Sequence, residues 1–106
     1  MSEEELATIS ARVKRTQLRE VQRLASERGI DKSAAVRELL SIGIQHRRIE
    51  EAVDWVRRRK ATIWKAAEHA QLTYREMLEL LRAHNVTFPV SNEEIRKELD
   101  EIIGHQ

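Results

Sequence analysis

Residues 8–44 read TISARVKRTQLREVQRLASERGIDKSAAVRELLSIGI, and the spacing of apolar residues in this stretch decides the fold of the first half of the chain. At its start, residues 9, 11 and 13 are apolar and residues 8, 10 and 12 are polar, the period-two pattern of a half-buried β-strand. From Thr16 to Arg28 the apolar residues recur at helical spacing, and Gly29 follows where a helix commonly ends. Asp31 is suited to begin a second helix as its N-cap. The stretch therefore predicts a strand followed by two helices.

The predicted strand, residues 7–13, needs a partner for its backbone hydrogen bonds, and the sequence offers no second strand. The simplest partner is the same strand of a second copy, paired antiparallel across a two-fold axis. One face of this ribbon (Ile9, Ala11, Val13) would then cover the core. The other face would present Thr8, Ser10 and Arg12 to base edges in the major groove of DNA. These three residues are the predicted DNA base contacts of an intertwined homodimer.

The same 37 residues resemble the ribbon-helix-helix repressors and antitoxins of the Arc/MetJ/CopG type. The resemblance rests on the alternating strand, the first helix with its Gly29-Ile30 turn, and residues 31–33 opening the second helix. It implies base readout from the outer strand face and a phosphate held by backbone amides where the second helix begins. The predicted phosphate contacts are Lys14, Lys32 and Ser33. For the strand the alternative is a frayed N-terminal segment, and for Arg12 and Lys14 the alternative is simple solvation.

Charge is divided unevenly along the chain, whose net charge is only +1. Residues 6–48 contain ten Lys and Arg against four Asp and Glu, whereas residues 66–106 contain four against eight. A basic first half and an acidic last third indicate two partners of different character. Between them, the basic run Arg57–Lys60 is typical of either a solvated face or a phosphate contact.

The second half predicts a short helix around residues 63–70 and two helices with capping boxes, Thr73 with Glu76 and Ser91 with Glu94. Residues 67–81 have the pattern of a helix-turn-helix. Its second helix carries as many acidic as basic residues, which favours protein binding over DNA binding because recognition helices are usually basic.

The segment KATIWKAAEHAQLTYREMLELLRAHNVTFPVSNEEIRKELDEI, residues 60–102, resembles small prokaryotic antitoxins encoded beside PIN-domain ribonucleases. The shared features are Thr62-x-x-Lys65-Ala66-Ala67, then Ala70, Leu72, the cap Thr73 and the Met77/Leu80/Leu81 helix. The resemblance implies a PIN-type ribonuclease toxin as partner. The candidate toxin-binding residues are Trp64, Phe88, Arg96, Lys97, Leu99 and Ile102. For Trp64 and Phe88 the alternative is that they fill a second small core.

Composition excludes several other classes of protein. There is no cysteine, no apolar run long enough to cross a membrane and no signal peptide, so we expect a cytoplasmic protein. The four histidines lack metal-ligand spacing, and no nucleophile or phosphate-loop motif is present. We therefore expect no enzyme, no cofactor and no metal site.

Together these features predict a mainly α protein in three parts. Residues 6–46 would form the ribbon-helix-helix DNA-binding and dimerisation domain, residues 47–60 a helical connector, and residues 61–106 a helical, helix-turn-helix-like domain that binds toxin. The predicted function is a DNA-binding antitoxin that represses its own operon and neutralises a PIN-type ribonuclease. The alternatives are a ribbon-helix-helix repressor whose C-terminal half mediates oligomerisation or effector binding, and an interaction scaffold without a DNA role.

Overall fold

The computed structural model describes residues 4–87 and residue 96. Residues 4–87 contain four α-helices, α1 (Arg15–Arg28), α2 (Lys32–Arg57), α3 (Ile63–Ala70) and α4 (Tyr74–Ala83). The predicted mainly helical fold is confirmed, and α2 runs without a break through most of the predicted connector. None of the described helices is long and apolar enough to cross a membrane.

No β-strand occurs within residues 4–87, and residues 6–14 belong to neither a helix nor a strand. A strand is defined by pairing with a second strand, and a single chain provides none here. The ribbon therefore stays a prediction about two chains. The capping box of Ser91 and Glu94 lies outside the described residues.

Two compact units make up the chain, an N-terminal unit up to Ser41 and a C-terminal unit from Ile42. In the N-terminal unit, the helix start predicted at Asp31 is confirmed, because its Oδ1 accepts the amide of Ala34 at 2.7 Å. An ion pair of 2.7 Å between Arg28 and Glu38 joins the end of α1 to α2. Short-range capping therefore sets the start of α2 in this unit.

The N-terminal unit buries very little of its own apolar surface. No residue of α1 is buried, and within the described part of this unit only Ala35 is. A unit of about forty residues rarely buries enough surface to be stable by itself. Its large apolar side chains are therefore mostly exposed in the single chain.

The C-terminal unit, in contrast, has a closed core. Residues from the second half of α2 pack with α3 and α4, and the largest fully buried side chains are Ile63, Met77 and Leu81. The side-chain amide of Gln45 donates to the carbonyl oxygen of Ala70 at 2.8 Å and so ties α2 to the end of α3. The described residues of this unit therefore bury an apolar core among themselves.

All four helices end in the same kind of turn. In each, one residue is left-handed, with φ between 56° and 64°, and the next residue donates its amide to the carbonyl five positions earlier. The left-handed residues are Gly29, Arg59, Gln71 and Asn85. Glycine and asparagine adopt this conformation readily, whereas arginine and glutamine do so at a free-energy cost. Gln71 forms the predicted turn between α3 and α4 although glycine is common there.

Candidate nucleic-acid interface

An apolar groove of about 750 Å³ lies in the N-terminal unit, between the extended segment and helices α1 and α2. Residues 9, 11 and 13 line it from the extended segment, Leu18 and Val21 from α1, and Val36, Leu39 and Leu40 from α2. Several of these side chains are largely exposed, with Ile9 at 79%, Val13 at 56% and Leu40 at 50%. The groove is therefore an open apolar surface and not a filled core.

The predicted alternation along the extended segment is visible at this groove. Ile9, Ala11 and Val13 line it, whereas Thr8, Ser10 and Arg12 do not. All three of the predicted base-contacting residues are exposed. The backbone therefore already separates the apolar side chains from the polar ones, as a half-buried strand would.

On α2, the exposed apolar residues Leu39 and Leu40 share a helix face with Gly43, because residues three and four apart are neighbours on a helix. A Cβ atom added at Gly43 would meet no atom within 4 Å. The missing side chain therefore leaves room for a second backbone to approach this face of α2.

The predicted phosphate contacts lie at two helix starts. Lys14 immediately precedes α1, and its amide donates to Oε1 of Gln17 at 2.9 Å. At the start of α2, Oδ1 of Asp31 accepts the amide of Ala34, and the backbone carbonyl of Asp31 accepts the amide of Ala35. Lys32 and Ser33 provide the first two amides of the helix, which have no acceptor within a helix, and both residues are exposed. This arrangement can accept an anionic oxygen beside the ammonium group of Lys32.

Cations without an ion pair cluster around the start of α1. Within the described residues, Arg12, Lys14, Arg15 and Arg19 form no salt bridge, whereas Arg23 in the middle of α1 pairs with Glu20 and Glu27 at 3.1 and 3.6 Å. The first turn of α1 contains no acidic residue. Because a helix N-terminus carries partial positive charge, cations there oppose the stability of the helix. These four cations are therefore available to contact an anion.

Two of the six candidate toxin-binding residues, Trp64 and Arg96, are among the described residues. Trp64 is half-buried, its ring centroid lies 6.0 Å from that of Tyr74, and both line a small groove of about 330 Å³ in the C-terminal unit. Arg96 is an exposed helical residue. The remaining candidates, Phe88, Lys97, Leu99 and Ile102, lie outside the described residues.

One cluster in the C-terminal unit has no sequence signal, because its residues come from two helices. The ring of His69 packs against that of Trp55, with centroids 4.2 Å apart and the planes tilted by 37°, and its Nε2 lies 3.7 Å from Oε1 of Glu51. Nε2 of His69 is buried without a hydrogen bond. No group of three or more potential metal ligands occurs within the described part of the chain. The cluster therefore joins α2 to α3.

Comparison with known proteins adds no assignment: no protein-family model, no curated protein and no solved structure matches this chain.

Proposed function

We propose that this chain is a DNA-binding antitoxin that acts as an intertwined ribbon-helix-helix homodimer, represses its own operon and neutralises a PIN-type ribonuclease. Residues 7–13 of two copies pair as an antiparallel ribbon in this proposal. Thr8, Ser10 and Arg12 read base edges, and Lys14, Lys32 and Ser33 hold phosphates.

One observation supports the proposed dimer. The exposed large apolar side chains of the described residues all lie between positions 6 and 44. Many of them line one groove, beside a segment whose backbone has no strand partner. A second copy that added its own strand and helices there would bury this surface and satisfy the backbone at once. Folding and dimerisation of the N-terminal unit would then be one event.

Charge supports DNA as the ligand of the dimer. The unpaired cations near the start of α1 occur twice in a symmetric dimer, and phosphate neutralisation dominates the affinity of proteins for DNA. A bidentate contact from Arg12 to guanine would add sequence preference to this general attraction.

The antitoxin role rests on the acidic last third of the chain and on its resemblance to antitoxins of PIN-domain ribonucleases. Between residues 45 and 87 the described structure has no exposed large apolar side chain. Apolar contact with a toxin would therefore come mainly from residues after Thr87, with Trp64 as the described candidate before them. The same observation keeps a second candidate open, a ribbon-helix-helix repressor without a toxin, in which the closed C-terminal unit mediates oligomerisation or effector binding.

Gel-shift titration with the DNA upstream of the gene tests the DNA role. We expect Arg12→Ala to weaken operator binding by about 1–3 kcal/mol and to relax sequence preference at one position of each half-site. Arg23→Ala is the matched control, because it removes the same atoms from an exposed arginine that is already paired within α1. Equal operator affinity of wild type and Arg12→Ala would refute base readout by the ribbon.

Co-expression with a neighbouring PIN-domain ribonuclease tests the antitoxin role. Truncation after Thr87 should abolish co-purification while DNA binding persists. This end point retains Val86, which is buried in the core of the C-terminal unit. Full binding of the toxin by the truncated chain would rule out the proposed contact, and no binding by the full chain would favour the repressor.

A further inference from the structure

The turn that ends α2 differs from the other three helix ends in the side chain that follows its left-handed residue. In turns of this kind, the left-handed position favours glycine or asparagine, and the next position is usually hydrophobic. Ile30, Leu72 and Val86 occupy that next position after α1, α3 and α4. After α2 the two positions are Arg59 and Lys60, and both are exposed.

Cations accumulate around this turn without matching carboxylates. Residues 57–65 include Arg57, Arg58, Arg59, Lys60 and Lys65, all exposed, and no acidic residue. Within the described residues only Arg58 is paired, with Asp54 at 3.1 Å. We name Arg57, Arg59, Lys60 and Lys65 the basic corner.

The fold itself does not favour these residues at these positions. A left-handed arginine is strained relative to glycine, and Arg59 has a φ of 57°. Lys65 lies in the first turn of α3, where the helix has no acidic residue and where a cation opposes the helix dipole. The turn itself accounts for the conformation of Arg59, because Gln71 adopts the same conformation after α3. It does not account for five cations and no acidic residue within residues 57–65, and this excess of positive charge points to an anionic ligand.

We propose that the basic corner binds the phosphate backbone of double-stranded DNA without reading its sequence, as a second contact beyond the ribbon. This inference rests on the proposed DNA-binding function. Exposed arginine and lysine side chains are the groups that neutralise phosphates. A protein partner or a membrane surface fits less well, because residues 45–87 expose no large apolar side chain to complete such an interface.

Arg59→Gly removes one positive charge from the basic corner and keeps the left-handed turn, so it tests the charge apart from the fold. Glycine suits the left-handed position, so this variant should melt at a higher temperature than the wild type while it binds DNA less tightly. Gln71→Gly is the matched control, because Gln71 has a φ of 56° in the same kind of turn and carries no charge. It should also melt at a higher temperature and leave DNA binding unchanged.

Fluorescence anisotropy measures the DNA affinity of each variant. A labelled duplex of random sequence is titrated with protein at several salt concentrations. A symmetric dimer loses two cations in Arg59→Gly, so the slope of log K against log salt should become shallower by about 2. Between about 50 and about 200 mM salt, the wild type should lose roughly tenfold more affinity than the variant.

The possible outcomes separate this inference from the function on which it rests. A slope and affinity equal to those of the wild type would overturn it, as would a loss confined to operator DNA. If Arg12→Ala keeps full operator preference while Arg59→Gly loses affinity for every duplex, the ribbon is refuted and the basic corner stands. If only Arg12→Ala has an effect, the ribbon stands and the basic corner is refuted.

Discussion

Leu40 provides the most direct test of the proposed dimer, because it lines the apolar groove and is 50% exposed in the single chain. Leu40→Ala removes three carbon groups, each worth about 0.8 kcal/mol on transfer out of water. If the dimer buries the exposed half of the side chain, the loss is about 1.2 kcal/mol per protomer and about 2.4 kcal/mol per symmetric dimer. At about 1.4 kcal/mol per tenfold change, the dissociation constant of the dimer should rise roughly 50-fold.

Sedimentation equilibrium over a series of protein concentrations measures this constant, and circular dichroism on the same samples reports whether helix is lost on dilution. Leu78→Ala is the matched control, because Leu78 is half-buried against the core of the C-terminal unit. It removes the same atoms and should lower the melting temperature without changing dimer dissociation. A wild type that stays monomeric and fully helical, or a Leu40→Ala variant with an unchanged constant, would refute the reasoning.

Three further predictions concern helix ends. Gly29→Ala should destabilise the protein by about 1–2 kcal/mol in urea unfolding, because alanine is strained at the φ of 64° that Gly29 adopts. No neighbour lies within 4 Å of the added Cβ, so the loss measures the backbone strain alone. An unchanged urea midpoint would contradict the left-handed turn. Thr73→Ala should lower stability by about 1 kcal/mol, because the hydroxyl of Thr73 accepts the amide of Glu76 at 3.1 Å. Hydrogen bonds from the backbone and then the side chain of Thr73 lower the pKa of Glu76 below its ordinary value, so its stabilisation is present above that ordinary value and is lost as the pH falls through the lowered one. A smaller difference in melting temperature between wild type and Glu76→Gln at about pH 3 than at neutral pH would support this, and a difference independent of pH would oppose it.

The helices of both units could be read from the sequence because short-range interactions set their ends. The cap by Asp31, the capping box of Thr73 with Glu76, and the left-handed Gly29 each involve residues no more than a few positions apart. Such interactions depend on residue type and spacing, which a sequence displays directly. The predicted helix at residues 63–70 is confirmed for the same reason, because Oγ1 of Thr62 accepts the amide of Lys65 at 3.1 Å.

The candidate site was predictable only in part. The alternation of residues 8–13 predicted which side chains would share a face, and the structure places Ile9, Ala11 and Val13 on the groove. The sequence does not show whether that face is covered, because coverage depends on what packs against it. In the single chain the face is open, and its strand pairing stays a prediction about a second copy.

By itself, then, the sequence determined the positions of α1, α3 and α4, the start of α2, the capping of α2 and α4, and the separation of apolar from polar residues in the extended segment. Tertiary structure alone decided that Gln71 and Arg59 take left-handed conformations, that His69 packs against Trp55, and that the C-terminal unit closes its core while the N-terminal unit does not. The ring contact and the closed core bring together residues that are distant in sequence. The two left-handed residues adopt a backbone conformation that their residue types disfavour. Packing free energy summed over a whole unit can outweigh a local preference of about 1 kcal/mol, and no local pattern of residues records that sum.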